Sequence, residues 1–263
     1  MIKLIVSDMD GCLLDPSSKF PPNFMEAYNL MKEKNIIFAI ASGRSIDGLN
    51  KAFGNLAPEM TFISDNGARI YHKGNLLFEE GLELEDYKPF LEEMRSHEGL
   101  LPIACGRERK WIENNSSVTE RAKNELLKFY PGWHECNFEN VPENVIRFAL
   151  LYFDDIEKNI YPYFEKYNNE KVRLQVTSYE WIDVYSRNVS KGSSVKVIQD
   201  KFGILPSETM VFGDYLNDLT MADYADYSFA PSNAHPDVKE RFTEIIESNA
   251  EYGVTNKIIS CLI

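Results

Sequence analysis

Two aspartates stand two residues apart near the start of the chain, directly after an apolar, β-branched run at residues 2–6. The run predicts a buried parallel strand, and in an extended chain residues two apart point the same way. The carboxylates of Asp8 and Asp10 would then lie together at the carboxyl end of a strand, where open α/β sheets place their ligands. Gly11 permits the sharp turn that such a site needs. Considered alone, Asp-x-Asp-Gly also fits a strand that ends in polar turn residues, and the longer pattern of a calcium loop is missing here.

Ser42-Gly43 and Lys191 are two further candidates for binding an anion. Ser42 and Gly43 follow a second apolar run, so a hydroxyl and backbone N–H groups could face a phosphate. Considered alone, the pair is better explained as a strand-to-helix turn with Ser42 as the helix cap. Lys191 stands at a predicted helix start, where a cation opposes the helix dipole. This indicates an anionic partner or an ordinary exposed lysine, and both interpretations stay open.

A second acidic cluster follows another short apolar run, at residues 210–212. Gly213-Asp214 and Asn217-Asp218 could supply hard oxygen ligands of the kind that Mg²⁺ requires. An Asp-rich turn in which Asn217 caps a helix explains the same residues equally well.

The elements that must position these residues alternate between strands and helices at both ends of the chain. Apolar runs predict strands, and apolar residues spaced three to four apart predict helices. The predicted strands are 2–6, 36–41, 61–64, 210–212 and 228–230, and the predicted helices are 23–34, 46–53, 191–202, 219–224 and one that begins at 236–242. This alternation favours an α/β fold with a Rossmann-like, doubly wound parallel sheet and helices on both faces.

The pattern changes between residues 83 and 186. Helices are predicted at 83–97, 119–129 and 156–167, short strands within 100–115, and further strands at 145–153, 172–177 and 181–185. We therefore expect a core domain formed by residues 1–82 and 187–263, split by an inserted α+β domain at residues 83–186.

The composition excludes several classes of protein. The 28 lysine and arginine residues against 41 aspartate and glutamate residues give a net charge of −13, which argues against binding to nucleic acid or an anionic membrane. No apolar run approaches the ~20 residues of a membrane helix, and the N-terminal run is too short for a signal peptide. The cysteines lack metal-binding spacing, which favours free thiols and a cytoplasmic location; they are Cys12, Cys105, Cys136 and Cys261.

The order of the four chemistry-bearing segments resembles that of the haloacid dehalogenase (HAD) superfamily of phosphohydrolases. The first motif matches Asp8-Met9-Asp10-Gly11, the second Ser42, the third Lys191, and the fourth Gly213-Asp214 with Asn217-Asp218. Four shorter runs are similar to the Cof-type subfamily, subclass IIB: Asp65-Asn66-Gly67-Ala68, Val189-Ser190-Lys191-Gly192, Asn233-Ala234-His235-Pro236 and Tyr252-Gly253-Val254. The insert lies between Ser42 and Lys191, as in members with the large α+β cap, although the resemblance is much weaker in residues 83–180.

This resemblance implies a magnesium-dependent phosphatase that works through an aspartyl-phosphate. Asp8 would be the nucleophile, and Asp10 would protonate the leaving oxygen and then activate water. Mg²⁺ would be held by Asp8, the backbone carbonyl of Asp10, and Asp214. The phosphate oxygens would be held by Ser42, Lys191, Asn217 and the N–H groups of Met9 and Gly43. Asp218 would support the metal through water or orient Lys191.

The same resemblance implies that the cap selects the substrate, which we expect to be a small phosphorylated metabolite such as a sugar phosphate. Polar and aromatic residues of the insert are candidates for contacting it, although each considered singly is better explained as surface or core: Arg107, Arg109, Lys110, Trp111, Tyr179 and Trp181. Asp183, near the crossing back to the core, could hold a sugar hydroxyl or only end a strand, and Asn66-Gly67 near the outward crossing is similarly placed. A phosphotransferase or mutase with the same intermediate is the nearest alternative. A catalytically silent binding protein would be expected to lack the nucleophile or a metal carboxylate, and neither is missing. The sequence does not indicate the oligomeric state.

Three positions depart from the family pattern. Cys12 replaces the usual Thr after Asp-x-Asp-Gly, and a thiol is a weaker hydrogen-bond donor than a hydroxyl. We interpret Cys12 as a small buried substitute, with a redox switch as the alternative. Tyr215 stands where small residues are frequent and could face the substrate entrance or cover its own loop. Pro231-Ser232 replaces a common Met-Gly, with an effect limited to the local turn.

Overall fold

The computed structural model describes residues 1–114, 118–129 and 132–263. The chain forms two compact units, Met1–Glu79 with Val189–Ile263, and Glu80–Asn188. The first unit is therefore built from both ends of the chain, and the second from one continuous stretch. Residue 115, the last of the predicted strand segment 100–115, lies outside the described residues.

Each unit contains one sheet. In chain order the strands are β1 (Leu4–Asp8), β2 (Ile37–Ala41), β3 (Thr61–Ser64), β4 (Arg69–His72), β5 (Asn75–Glu79), β6 (Leu101–Gly106), β7 (Lys110–Glu113), β8 (His134–Cys136), β9 (Val145–Leu151), β10 (Val172–Ser178), β11 (Trp181–Ser186), β12 (Thr209–Phe212), β13 (Tyr227–Pro231) and β14 (Glu244–Ile246). The α-helices are α1 (Phe24–Glu33), α2 (Ile46–Phe53), α3 (Leu84–Tyr87), α4 (Leu91–Ser96), α5 (Glu120–Phe129), α6 (Ile156–Asn159), α7 (Tyr161–Phe164), α8 (Lys191–Phe202), α9 (Pro236–Arg241) and α10 (Gly253–Leu262).

The sheet of the first unit has the strand order β14-β13-β12-β1-β2-β3-β4-β5. It is parallel from β14 to β3, and β4 and β5 extend it as an antiparallel hairpin. Strand β1 lies in the middle, since Leu4 pairs with Thr209 of β12 on one side and with Ile37 of β2 on the other. Every residue of β1 is buried, as expected of a parallel strand that is covered on both faces.

Helices cover both faces of this sheet. Ile5 of β1 belongs to an apolar cluster with residues of α1, α2 and α10. Its neighbours Leu4 and Val6 belong to a second cluster with residues of α8 and α9. Because successive side chains of a strand point to opposite faces, the two clusters lie on the two sides of the sheet. The predicted doubly wound α/β core is therefore confirmed.

Some elements of the first unit differ from the sequence-based prediction. The hairpin β4–β5 and the three-residue strand β14 were not predicted; their apolar runs are short, Leu76-Leu77-Phe78 in β5 and Ile245-Ile246 in β14, and both strands are only partly buried. The predicted helix 219–224 is a longer 3₁₀ segment, Leu216–Tyr224. Throughout the described ranges, each helix is either too short or too polar to cross a bilayer.

The second unit has a six-stranded sheet with the order β10-β11-β9-β6-β7-β8. Its pairs are antiparallel except for the parallel pair β7–β8. One apolar cluster joins this sheet to α3, α4, α6 and α7, and another joins it to α5. The predicted helices 83–97 and 156–167 are each divided, at Pro89 and near Pro162, because proline lacks the N–H that would continue the helix.

Candidate active site

The candidate site lies where three neighbouring parallel strands end. Asp8 is the last residue of β1 and pairs with Ala41, the last residue of β2. Ser42 follows β2 directly, and Asp214 follows β12 after one glycine. Lys191 is the first residue of α8, which begins after Ser190 caps it by accepting a hydrogen bond from Ser193. The parallel topology therefore brings residues from positions 8, 42, 191 and 214 to one edge of the sheet.

Lys191 is buried between two carboxylates. Its Nζ donates to Oδ1 of Asp8 at 2.5 Å and to Oδ1 of Asp218 at 2.7 Å. Burial alone would lower the pKa of Lys191, but the charges of Asp218 and Asp8 raise it above its usual value. The ammonium group therefore stays charged. Lys191 is buried, so the alternative interpretation of it as an ordinary exposed lysine is wrong.

Asp8 is also buried, and its charge is sensitive to its neighbours. Desolvation raises the pKa of Asp8 well above its usual range, Lys191 opposes this rise, and Asp218 and Asp214 add to it. A further positive charge at this point would favour the ionised carboxylate. A nucleophilic carboxylate must be ionised, so the surroundings of Asp8 fit a site that gains a cation.

Asp214 provides the clearest indication of a cation. Its Oδ1 is buried and has no hydrogen-bond partner among the atoms that the structure describes. One carboxylate oxygen each from Asp8, Asp214 and Asp218 lies within 4.8 Å of the others. Burial, and then the charge of Asp218, raise the pKa of Asp214 to about 6. An uncompensated oxygen in an acidic cluster fits a hard divalent cation such as Mg²⁺.

Gly11 and Asp218 fix the position of Asp214. Gly11 has φ +84°, and a Cβ added there would lie 2.5 Å from Oδ2 of Asp214, so only glycine fits. The Oδ2 of Asp218 accepts hydrogen bonds from the backbone N–H groups of Asp214 at 2.9 Å and Tyr215 at 3.1 Å. Because Oδ1 of Asp218 accepts a hydrogen bond from Lys191, Asp218 fixes both the loop after β12 and the lysine.

The sequence predicted that the carboxylates of Asp8 and Asp10 lie together, whereas in the structure Asp8 contacts Lys191 and Asp10 contacts Arg44. The chain leaves β1 at Asp8 and passes through a tight turn, and Asp10 lies exposed in that turn. Its carboxylate accepts hydrogen bonds from Nε of Arg44 at 2.8 Å and from Nη2 at 2.6 Å. The alternation expected from a strand ends with β1, so the two carboxylates have different partners.

A second group of polar residues surrounds the loop after β2. Ser42 is buried, and its Oγ accepts a hydrogen bond from the N–H of Arg44 at 3.1 Å. The side chain of Asn66 lies beside Gly43, and its Oδ1 accepts a hydrogen bond from Nδ2 of Asn217 at 3.0 Å. Asn66 therefore joins the two predicted phosphate-binding segments.

Met9 contributes only its backbone to this region. Its side chain is buried in the apolar cluster of the first unit, and its carbonyl accepts a hydrogen bond from the N–H of Leu14 at 2.9 Å. The prediction that its N–H group binds phosphate concerns the backbone and is compatible with this placement.

Two residues of the site were not identified from the sequence as functional. Arg44 follows Ser42-Gly43 directly, and that position was the available signal for it. Asn66 was considered from the sequence as part of a subfamily run and, with Gly67, as a position near the crossing to the insert, but not as a neighbour of Gly43. Its φ of +56° is unusual for a residue other than glycine and places its side chain next to Gly43. Such backbone strain is not visible in a sequence.

Cys12 and Tyr215 have different surroundings. The Cys12 thiol is buried 3.9 Å from Oγ of Ser7, and burial, followed by the charge of Asp8, raises its pKa well above its usual value. A neutral buried thiol reacts poorly with oxidants, so this supports a packing role. The ring of Tyr215 is exposed and packs edge-to-face on His235 at 5.6 Å.

The residues proposed as substrate contacts in the insert have separate environments. Trp111 is buried and donates from Nε1 to Glu143 at 2.6 Å. Tyr179 is exposed, and Trp181 packs against the cluster around α5. Asp183 accepts hydrogen bonds from Arg147 and from Oη of Tyr185.

Comparisons with known proteins identify the family of the chain. The family model for haloacid dehalogenase-like hydrolases matches residues 5–258. A 5-amino-6-(5-phospho-D-ribitylamino)uracil phosphatase of Escherichia coli, YbjI, is 28% identical over 98% of this chain and 95% of its own length. An HMP-PP phosphatase of Klebsiella pneumoniae is 24% identical over 91% of this chain and 87% of its own length.

Solved structures share the fold. SMU.1108c of Streptococcus mutans superposes with a TM-score of 0.84 at 24% identity, covering 100% of this chain and 99% of that one. The HAD subclass IIB sugar phosphatase BT4131 superposes with a TM-score of 0.77 at 22% identity, covering 99% of this chain and 100% of that one. The match over residues 5–258, together with these relatives and the order of the four motifs, shows that the chain belongs to the haloacid dehalogenase-like hydrolase family.

Proposed function

We propose that this protein is a phosphatase that hydrolyses phosphate monoesters of small metabolites through an aspartyl-phosphate on Asp8. The observation that carries this proposal is the buried cluster in which Lys191 bridges Asp8 and Asp218 while Oδ1 of Asp214 has no partner among the described atoms. Phosphoryl transfer depends mainly on positioning and on neutralising charge, and this cluster offers both.

The metal that fits the cluster is Mg²⁺, held by Asp8, Asp214 and the backbone carbonyl of Asp10. Bound Mg²⁺ supplies positive charge that lets an anionic carboxylate approach an anionic phosphate. Asp218 lies outside this set, because both of its oxygens already accept hydrogen bonds from Lys191 and from the loop.

The remaining residues hold the phosphate and move protons. Lys191 neutralises charge beside Asp8, and the hydroxyl of Ser42, the amide of Asn217 and the N–H groups of Met9 and Gly43 bind the phosphate oxygens. Asp8 forms the bond to phosphorus as the ester oxygen leaves. Asp10 gives that oxygen a proton and later accepts one from the attacking water. For this, one carboxylate oxygen of Asp10 would turn from Arg44 to the leaving oxygen, while the other keeps its hydrogen bond to the guanidinium.

The same proposal assigns catalysis and substrate selection to different parts of the chain. Residues 1–82 and 187–263 form the catalytic core, and residues 83–186 form a cap that selects the substrate. Two relatives are named for phosphorylated compounds, a ribitylaminouracil phosphate and HMP-PP, which supports a small phosphorylated metabolite as substrate. We place the enzyme in the cytoplasm, without a nucleic-acid or membrane partner.

A panel of sugar phosphates and related esters tests the proposal. With Mg²⁺ present, we expect release of inorganic phosphate to water, and Asp8→Asn should reduce it by at least about 10³-fold because an amide is not a nucleophile. The matched control is Asp223→Asn, which alters an exposed ion pair with Arg241.

Two outcomes would contradict the proposal. An isomerised sugar phosphate without phosphate release would identify a mutase. A folded protein that is inert across the panel would identify a binding protein.

A further inference from the structure

Strands β9, β10 and β11 gather charged side chains on one face of the second unit's sheet. Arg173 of β10 lies opposite Tyr185 of β11, and Asp183 of β11 lies opposite Ala149 of β9. Directly paired residues share a face, and so do residues two apart along a strand. Arg173, Tyr185, Asp183 and Arg147 therefore lie on the same face.

The charges on this face do not balance. Asp183 accepts one hydrogen bond from Nη1 of Arg147 and another, at 2.8 Å, from Oη of Tyr185. Arg147 therefore neutralises Asp183, the acidic residue of the group. Arg173 has its Cζ 5.6 Å from the centre of the Tyr185 ring, which offers no full negative charge.

Arg173 is partly removed from water without a carboxylate partner. Its Nε is buried and makes no hydrogen bond to any atom in the described part of the chain, and within those residues no carboxylate forms an ion pair with its guanidinium. Burial, and then the charge of Arg187, lower the pKa of Arg173. Desolvating a cation without a counter-charge is costly, so such residues are rare unless a ligand supplies the charge.

Arg187 is a second cation, and it is exposed to solvent. Its guanidinium donates to the carbonyl of Asn169 at 2.7 Å, to Oδ1 of Asn168 and to the carbonyl of Val172 at 3.2 Å. Within the described residues these partners are all neutral oxygens, and they hold the group in place. The excess positive charge is notable in a chain whose net charge is −13.

Other arginines of the same unit show the contrast. Arg121 donates to Glu180 at 2.8 Å, and Arg95 is held between Glu113 and Glu139. Both are exposed, and both have acidic partners. Arg173 differs because it is less exposed and has no acidic partner among the described residues.

We propose that Arg173, with Arg187 bound to the carbonyl of the preceding residue, Val172, binds an oxyanion, either a phosphate or a carboxylate group. A guanidinium group presents parallel N–H donors that match these groups in geometry and charge. The anion comes from one of two sources: a second acidic group on the substrate, or a separate small anion.

Binding of inorganic sulfate tests the site directly. Thermal unfolding is followed in low-salt buffer with increasing sodium sulfate, against sodium chloride at the same ionic strength, for the wild type, Arg173→Gln and the control Arg121→Gln. Sulfate should raise the wild-type midpoint saturably, and the apparent dissociation constant should rise about tenfold or more in Arg173→Gln but not in Arg121→Gln. Sulfate bound near Ser42 and Lys191 would contribute equally in all three proteins.

The stability of the variant without sulfate separates binding from a structural role. Because Arg173→Gln removes an uncompensated charge, its midpoint in sulfate-free buffer should equal or exceed that of the wild type. A lower midpoint, or a sulfate response equal to that of the wild type, would overturn the proposal.

Kinetics then identify the source of the anion, and this second arm rests on the proposed phosphatase activity whereas sulfate binding does not. The same sugar is compared as its monophosphate and its bisphosphate. A loss of kcat/KM by about tenfold for the bisphosphate alone in Arg173→Gln assigns the anion to the substrate. Unchanged kinetics together with lost sulfate binding assign it to a separate anion.

Discussion

Lys191 determines how the candidate site is arranged, because one ammonium group holds two carboxylates that have different tasks. Asp8 is left with an oxygen for the substrate or the metal, whereas Asp218 uses both of its oxygens within the protein. Asp214, whose Oδ1 has no hydrogen-bond partner among the described atoms, is the third carboxylate of this cluster. Asp8 and Asp214 therefore each keep an oxygen that a metal or substrate could contact, whereas Asp218 has none. This difference supports the separate roles that we propose for them.

Arg44 should affect the rate without affecting the fold. Its ion pair with Asp10 is half exposed, so its loss should change the free energy of unfolding by no more than about 1 kcal/mol. Because the guanidinium orients the proposed proton donor, Arg44→Ala should lower kcat about tenfold. Arg44→Lys, which keeps the charge but not the two parallel hydrogen bonds, should recover part of that loss.

Measuring kcat, KM and urea unfolding on the same preparations checks this. A variant with unaltered kcat would remove Arg44 from the positioning of Asp10.

At the scale of single residues, the sequence indicated candidate site residues where suitable residue types stand at strand ends or at a helix start, in the order of the family motifs. Asp8, Ser42, Lys191 and Asp214 could be identified in that way. Arg44 could not, because an arginine after glycine is common and its partner Asp10 is distant in the chain. Asn66 depends on a left-handed backbone conformation that only the folded loop shows.

At the scale of elements, the turn after β3 has to approach the start of α8 very closely. Gly67 has φ +110°, and an added Cβ would lie 2.3 Å from the carbonyl oxygen of Ser190. The Gly67 carbonyl in turn accepts a hydrogen bond from Ser194 at 2.9 Å. This contact joins the loop that carries Asn66 to the helix that carries Lys191.

Gly67→Ala should therefore destabilise the protein by more than about 2 kcal/mol, since it combines unfavourable backbone torsion with a steric clash. Gly203→Ala is the matched control. Gly203 also has a positive φ, but nothing lies within 4 Å of an added Cβ, so only the torsional cost of about 1 kcal/mol remains. Urea unfolding of both variants measures the difference, and equal losses would show that the close approach is unimportant.

Tyr87 at the end of α3 should make stability depend on alkaline pH. Its Oη donates to the carbonyl of Phe138 at 2.9 Å, and burial raises its pKa to about 12. The unfolded value is about 10, so the folded state holds the proton more tightly. The resulting stabilisation is complete below pH 10 and is lost as the pH rises towards 12.

Unfolding free energies measured between pH 9 and 12 check this sign. Tyr87→Phe has no titrating hydroxyl, so its stability should fall less steeply across that window. Parallel curves for the two proteins would mean that Tyr87 does not contribute.

Most helices and strands could be predicted from the spacing of apolar residues, but the interruptions within the predicted helices could not. Helices that contain Pro89 and Pro162 are divided there, although the surrounding spacing is helical. The edge strands β5 and β14 carry only short apolar runs and are only partly buried. A strand of that kind is defined by its neighbour's hydrogen bonds, which a local pattern does not reveal.

At the scale of the whole molecule, the acidic cluster should make both activity and stability depend on a divalent cation. Dialysis against EDTA should abolish phosphate release, and added Mg²⁺ should restore it. A ligand that binds only the folded state raises the unfolding temperature, so Mg²⁺ should do so in the wild type. In Asp214→Asn this increase should be lost, whereas Asp223→Asn should retain it.

Calorimetric midpoints measured over a range of Mg²⁺ concentrations test this expectation. An equal response in Asp214→Asn and the wild type would place the cation elsewhere.

Strand β1 lies between β2, which follows it closely in sequence, and β12, which is made about two hundred residues later. During synthesis the ribosome delivers the entire second unit, which is one continuous stretch of the chain, before β12 exists. Closing so long a loop is slow, and the first unit has high contact order. A chain that stops before Thr209 would carry Asp8, the proposed nucleophile, on a strand with one open edge, the kind of edge that pairs with other chains and aggregates.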